Sequence, residues 1–237
     1  MRKLIKNVIF DSKEIIVTYF FSYGIVVGAC VIYSLMGFKN LDVFINYGCV
    51  IILLVYYITV IGYLYYKNKK FVNNKMSLSI QEIYPLLSLG ISIAVFINMI
   101  IFFVLPPNHT STIVMPLLFL SSGIIGPIYE EMLFRFLLYN RLKQQYSIKK
   151  ATIITTILFA LIHLSFVKMI YAFVLGFLLV KVYEDKKNIW APILVHIGAN
   201  SIVVILNEYN TYVLLLSIIC LLLGGWSYLL IKKETIS

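Results

Sequence analysis

Apolar positions gather in long unbroken runs along the chain, and polar positions fill the short gaps between them. Runs long enough to cross about 30 Å of hydrocarbon as helices recur near 15–37, 43–66, 83–105, 113–140, 166–183, 190–206 and 211–231. A shorter run at 151–165 suits a tilted or partial span. No linker, soluble domain, low-complexity tract or repeat interrupts the series. The pattern predicts a single membrane domain over 1–237, an all-α polytopic bundle of about eight transmembrane helices.

Composition narrows the class further. Hydrophobic residues make up 61% of the chain and the mean hydropathy is +0.94, which excludes a water-soluble domain. The formal net charge of +10 raises the question of nucleic acid. The positions of the charges answer it. Alternate connections carry 17 Lys and Arg against 2 (Lys39 and Lys168), and the remaining basic residue is Arg135, inside a span. Cytoplasmic loops are enriched in Lys and Arg, and that bias sets orientation. Both termini are therefore expected in the cytoplasm, and the high charge needs no nucleic-acid partner. Arg2, Lys3, Lys6 and Lys13 precede the first run without a small-residue cleavage site, so that run is expected to be a retained span. Cys30, Cys49 and Cys220 lie far apart in apolar stretches and are expected to be buried free thiols.

Of ten acidic residues, eight fall in tails, loops or span ends, and only Glu130 and Glu131 lie well inside a span. An ionisable group at that depth is costly unless paired or wetted, and marks a functional site by default. Glu131 and Arg135 are four apart and share a helix face, where they can pair. Glu130, about 100° further round, is left over as a carboxylate available for general-base work. A bare structural pair accounts for Glu131 and Arg135 but not for Glu130. Gly126 and Pro127 just ahead are expected to loosen or kink the helix, because Pro removes a backbone hydrogen bond. Such a break is tolerated at membrane depth only where protein or a wet cavity satisfies the freed groups.

Two of the three histidines lie in apolar runs, in "FALIH" (159–163) and "HIGAN" (196–200); His109 follows "PPN" in an outer loop and is expected to be an ordinary surface residue. At ~1.5 Å per residue, Glu130 lies roughly 15 Å, His163 roughly 20 Å, and His196 with Asn200 roughly 10 to 16 Å from the cytoplasmic side. A lone histidine on an apolar face is usually a packing residue. Two histidines, an asparagine and a spare carboxylate at one depth point to a site. Such a set can activate water for hydrolysis in two ways. A divalent metal held by three protein ligands leaves a place for water. Alternatively, Glu130 and His163 take the proton from water, while His196 and Asn200 donate to the developing oxyanion.

The order Glu130-Glu131-x-x-x-Arg135, Phe159-x-x-x-His163, His196-x-x-x-Asn200 resembles the CPBP family of CAAX-processing and bacteriocin-processing or immunity proteins, also called Abi. The motif-bearing core is expected over about 113–206, within the eight-helix bundle of Rce1-type members. The resemblance implies an intramembrane endopeptidase in which Glu130 and His163 activate water. His196 and Asn200 would stabilise the oxyanion, and Glu131 and Arg135 would orient. It leaves open a bound zinc, with the metal-free glutamate route favoured. It also implies a membrane-associated peptide or lipidated protein as substrate, such as a CAAX-like tail, a pheromone or a bacteriocin precursor. Heavy use of Ile, Lys, Asn and Tyr suggests an AT-rich genome and a bacterial plasma membrane as location.

Other intramembrane chemistries fit less well. His-Glu-x-x-His and Gly-x-Gly-Asp are absent, and Ser121-Ser122-Gly123 lacks the rhomboid Gly-x-Ser pattern. Two other classes remain as alternatives. One is a non-proteolytic immunity or scaffold protein that binds a bacteriocin or a transporter. The other is a transporter relaying protons through the Glu/His array, although no inverted-repeat signature of paired broken helices is present.

Overall fold

The computed structural model describes residues 2–68, 78–104 and 115–208, together with Leu223 and Trp226. For residues 2–12, 14, 101–104, 115 and 206–208 it describes the backbone path alone. Among the described residues up to 208, the chain forms seven helical rods, and no strand occurs among the described residues. They are α1 (Arg2–Leu35), α2 (Leu41–Lys67), α3 (Ile80–Val104), α4 (residues 115–145), α5 (Ile148–Leu161), α6 (Phe166–Lys186) and α7 (Trp190–Glu208).

Five stretches are long and apolar enough to cross a membrane: Ile15–Leu35, Leu41–Lys67, Ile80–Ile100, Pro116–Gln145 and Phe166–Lys186. They match the first four predicted runs and the one at 166–183. The run at 190–206 appears as the shorter apolar stretch Trp190–Ile205. The partial span expected at 151–165 is α5, whose 14 residues reach about 21 Å, less than a hydrocarbon thickness. Apart from Leu223 and Trp226, the predicted span at 211–231 lies outside the described residues, as do His109 and Cys220. The chain is an all-α, multi-pass membrane protein.

Local chemistry explains where the rods stop. α1 ends at Gly37, whose φ of +77° suits a residue without a Cβ. α6 ends on Lys187 in the left-handed region, and Asn188 Oδ1 then accepts the Trp190 N–H at 3.0 Å to start α7. α3 opens on Ser79, whose N–H and hydroxyl both donate to Glu82 Oε2, at 3.0 and 3.2 Å. Glu82 also receives Lys186 Nζ at 3.2 Å, and Lys143 Nζ meets Glu184 Oε1 at 2.6 Å. These two ion pairs tie the ends of α3, α4 and α6 together outside the apolar layer.

Inside that layer, α7 is the central rod. It packs most extensively on α3 and also against α4 and α6. Two glycines allow the α3–α7 approach. A Cβ at Gly90 would lie 1.8 Å from the Val195 carbonyl oxygen, and one at Gly198 would lie 2.4 Å from that of Leu87. Close approach of backbones through small residues is how helices associate where lipid tails offer no hydrophobic drive. This contact anchors residues 195–199, the turn that carries His196.

α4 changes pitch along its length. Two π-helical segments, Phe119–Ile125 and Met132–Tyr139, flank the α-helical turn Gly126–Glu131. Insertions of this wider turn concentrate at functional sites, and here they bracket Glu130 and the fully buried Glu131.

The α3–α7 contact predicts that Gly90→Ala destabilises the protein by about 1–3 kcal/mol through overpacking against backbone. Gly24→Ala, where a Cβ meets nothing within 4 Å, stays within about 0.5 kcal/mol of wild type. Thermal unfolding in detergent measures both, and equal midpoints would show that the helices do not meet at Gly90.

Candidate active site

The site begins with Arg135, fully buried in the middle of α4. Its Nη1 donates to Glu131 Oε1 at 2.8 Å, one turn back on the same helix. Its Nη2 donates to the Gly176 carbonyl of α6 at 3.2 Å, and its guanidinium lies 4.3 Å from the centre of the Phe159 ring of α5. Gly176 makes this approach possible, since a Cβ there would stand 3.0 Å from Phe159 and 3.5 Å from Arg135 Nη2. A planar, delocalised cation suits both the stacking and the forked donation.

Glu131 is also fully buried, and its Oε1 serves a second donor, His196 Nδ1 of α7, at 2.8 Å. An ionised carboxylate can only accept, so Nδ1 carries the proton in this contact. The other ring nitrogen, Nε2, faces Glu130 Oε2 at 3.7 Å. That gap is too long for a direct hydrogen bond. Glu130 Oε2 is buried and has no hydrogen-bond partner. The two adjacent glutamates therefore differ: Glu131 meets Arg135 and His196 through Oε1 while its Oε2 is buried without a partner, and Glu130 has no hydrogen-bond donor.

His163 does not sit inside a helix as its apolar run suggested. α5 stops at Leu161, and His163 lies in the turn that leads to α6, followed by Leu164 at φ +55°. Its Nδ1 is 2.8 Å from the Phe159 carbonyl, so Nδ1 is again the protonated nitrogen and Nε2 keeps its lone pair. The imidazoles of His163 and His196 both meet Phe159 edge-on, with centroids 5.0 and 5.8 Å from its ring. Phe159 thus touches Arg135, His163 and His196 and sets their spacing. Asn200, one turn beyond His196, donates from Nδ2 to the Ser122 carbonyl of α4 at 3.2 Å.

Of the six residues expected in the site, Glu130, Glu131, Arg135 and His196 form one contiguous polar cluster. His163 joins through Phe159, and Asn200 lies on the same helix as His196 with its amide turned to α4. The side chains of Tyr19 in α1 and Tyr57 in α2 lie near enough to the Glu130 carboxylate to interact with it. Tyr57 also stacks on Tyr129 at 4.2 Å between centroids. Nothing in the sequence singled out these tyrosines or Gly176. A glycine within an apolar run was the one available signal, for Gly176. Among the described residues, no three His, Cys, Asp or Glu side chains converge as ligands for a metal ion, and Glu131 Oε1 already holds two donors.

Fold and site together define a multi-pass membrane protein with a sealed glutamate–arginine–histidine cluster and one spare carboxylate. Residues 112–202, which carry every motif residue, match the family model described as Type II CAAX prenyl endopeptidase Rce1-like. Over 91 residues the chain is 32% identical to a protein of Bacillus subtilis (strain 168) named "Putative membrane peptidase YdiL", covering 38% of this chain and 37% of that protein. The matched segment thus spans little more than a third of that relative. No solved structure matches the chain at a significant level.

Arg135→Met leaves Glu131 buried beside His196 without its cation. The expected loss is about 3–5 kcal/mol, read as a lower midpoint of thermal unfolding in detergent. Arg135→Lys recovers only part of it, because an ammonium cannot keep both the fork and the stack. Full recovery with Lys would mean that charge alone holds the cluster.

Proposed function

We propose that this protein is an intramembrane endopeptidase that hydrolyses a peptide bond with water activated by Glu130. The observation that carries the proposal is the free carboxylate oxygen of Glu130, 3.7 Å from His196 Nε2 and without a hydrogen-bond donor of its own. The family match over 112–202 and the named peptidase relative support the same class of reaction.

In the proposed reaction, water lies between Glu130 Oε2 and His196 Nε2. Glu130 takes a proton as the oxygen attacks the carbonyl carbon of the peptide. The carbonyl oxygen becomes an oxyanion, for which the second N–H of the Asn200 amide is the available donor; His196, whose one proton sits on Nδ1 toward Glu131, offers Nε2 to the water as an acceptor. The proton held by Glu130 passes to the amide nitrogen as the C–N bond breaks, so water is divided between the new carboxylate and the new amine. His163 Nε2, with its lone pair free, is a second acceptor for the water. Glu131 holds the imidazole of His196 in one orientation, and Arg135 holds Glu131. No step is routed through a metal.

The substrate class that suits a site at this depth is a peptide, or a lipidated protein tail, that is already associated with the membrane. Its identity is read by comparing peptides in membrane and medium by mass spectrometry. The cells would express wild type, Glu130→Gln or Glu130→Ala at equal membrane levels. Peptides that appear with wild type are expected to vanish with both variants, a loss on the order of 10²–10⁴-fold for removal of a general base. Identical catalogues would replace proteolysis with a binding or immunity role.

The same purified protein tests the choice of metal-free chemistry. Exhaustive treatment with a chelator is expected to leave the rate unchanged. Loss of activity that returns on adding zinc would overturn that choice while leaving the peptidase in place.

A further inference from the structure

Polar side chains in this membrane domain have a shared habit. Ser92, Thr59, Thr152, Asn98 and Asn140 each donate to the carbonyl four residues back on their own helix, at 2.7 to 2.9 Å. That is the usual local outlet for such groups. Asn200 and Ser201, adjacent on α7, depart from it. Asn200 Nδ2 crosses to the Ser122 carbonyl and Ser201 Oγ crosses to the Gly123 carbonyl, both at 3.2 Å and both on α4.

Those two acceptors are the ones that α4 cannot satisfy itself. The Gly126 N–H reaches five residues back to Ser121 O, closing the first π-helical segment. Pro127 has no N–H to give. With the α-helical register that resumes at Gly126, the Ile128 N–H falls four residues back, on Ile124. On that register the change of pitch skips the Ser122 carbonyl and proline leaves the Gly123 carbonyl, so neither is met by a backbone donor. In a membrane interior an unmet carbonyl is costly. Gly123 lets the donors come close, since a Cβ there would lie 3.1 Å from Ser201 Oγ. The donors themselves ride on the part of α7 held by the Gly90 and Gly198 contacts. Glu130 follows Pro127 by three residues, so the pitch at this break sets the direction in which its carboxylate leaves the helix.

We propose that Asn200 and Ser201 together act as the helix donor that Pro127 lacks. By holding the Ser122 and Gly123 carbonyls they fix the pitch of α4 across 119–131 and aim Glu130 at His196. This makes Ser201 a positioning residue and gives Asn200 a second task beside the oxyanion. That Glu130 then acts on water rests on the reading above; the geometry of the latch does not.

The test is a cycle on the full-length protein in detergent: wild type, Ser201→Ala, Ser201→Thr, Pro127→Ala and the double variant Pro127→Ala/Ser201→Ala. One readout is thermal unfolding by circular dichroism. The other is the rate at which dicyclohexylcarbodiimide, a lipid-soluble probe of membrane carboxyl groups, modifies Glu130, followed by peptide mass spectrometry. Neither needs a substrate. Ser201→Ala is expected to lower the midpoint by about 2–4 °C and to change the Glu130 labelling rate several-fold, while Ser201→Thr restores both. Pro127→Ala supplies a backbone N–H, so removing the Ser201 hydroxyl in that background is expected to change little. Equal effects of Ser201→Ala in both backgrounds would overturn the latch. A change in midpoint without a change in labelling would overturn the aiming of Glu130. If the latch holds and no peptide depends on Glu130, it is the peptidase reading that fails.

Discussion

A guanidinium sealed away from water at the centre of a membrane domain needs partners, and Arg135 draws four helices together to supply them, leaving its Nε without one. Glu131 comes from its own turn of α4, the Gly176 carbonyl from α6, the Phe159 ring from α5, and His196 from α7 through the shared Glu131 oxygen. Removing two charges from water is expensive, and their attraction compensates only if geometry and additional hydrogen bonds are good. This requirement explains features that are otherwise unrelated. α6 has a glycine at 176 because a Cβ there would stand 3.0 Å from the Phe159 ring on which the cation stacks. α5 presents the flat face of an aromatic ring where an aliphatic residue would pack as well. α7 presses so closely on α3 that two glycines are needed, which keeps His196 in reach of Glu131.

Adjacent identical residues acquire opposite properties from this arrangement. Successive positions on a helix point about 100° apart, so Glu131 faces Arg135 and is consumed by structure, while Glu130 faces His196 Nε2 across 3.7 Å. Had α4 kept one pitch throughout, Pro127 would still have left a carbonyl without a donor. The π-helical segment before it enlarges the defect, and α7 closes it with Asn200 and Ser201. The protein therefore spends two polar side chains of α7 on the backbone of α4, directly below the pair that carries the candidate chemistry.

Much of this was legible in the sequence because a membrane makes charge conspicuous. Glu130, Glu131 and Arg135 stood out where a soluble protein would have hidden them among surface residues, and four-residue spacing correctly paired Glu131 with Arg135. The long spans were equally plain. Other features required three dimensions. The helical spacing of Phe159 and His163 suggested one continuous helix, but the rod ends at Leu161 and His163 sits in a turn. His196 was expected near an oxyanion; its bridging position between two carboxylates follows from helix packing that no local pattern encodes. Gly126-Pro127 announced a break, but which residues would mend it depended on α7 running beside α4, 78 residues away in sequence. Tyr19 and Tyr57 looked like ordinary members of apolar runs until α1 and α2 brought them beside Glu130.

Charge balance links the architecture to the proposed reaction. In the proposed reaction the proton that Glu130 takes comes from a neutral water, so the net charge of the cluster stays the same and the negative charge moves from the carboxylate to the attacking oxygen. When the proton leaves with the amine, Glu130 is a carboxylate again. Glu131 Oε1 is held by Arg135 and His196 throughout, so the proton passes through Glu130 while the guanidinium and the imidazole keep their places.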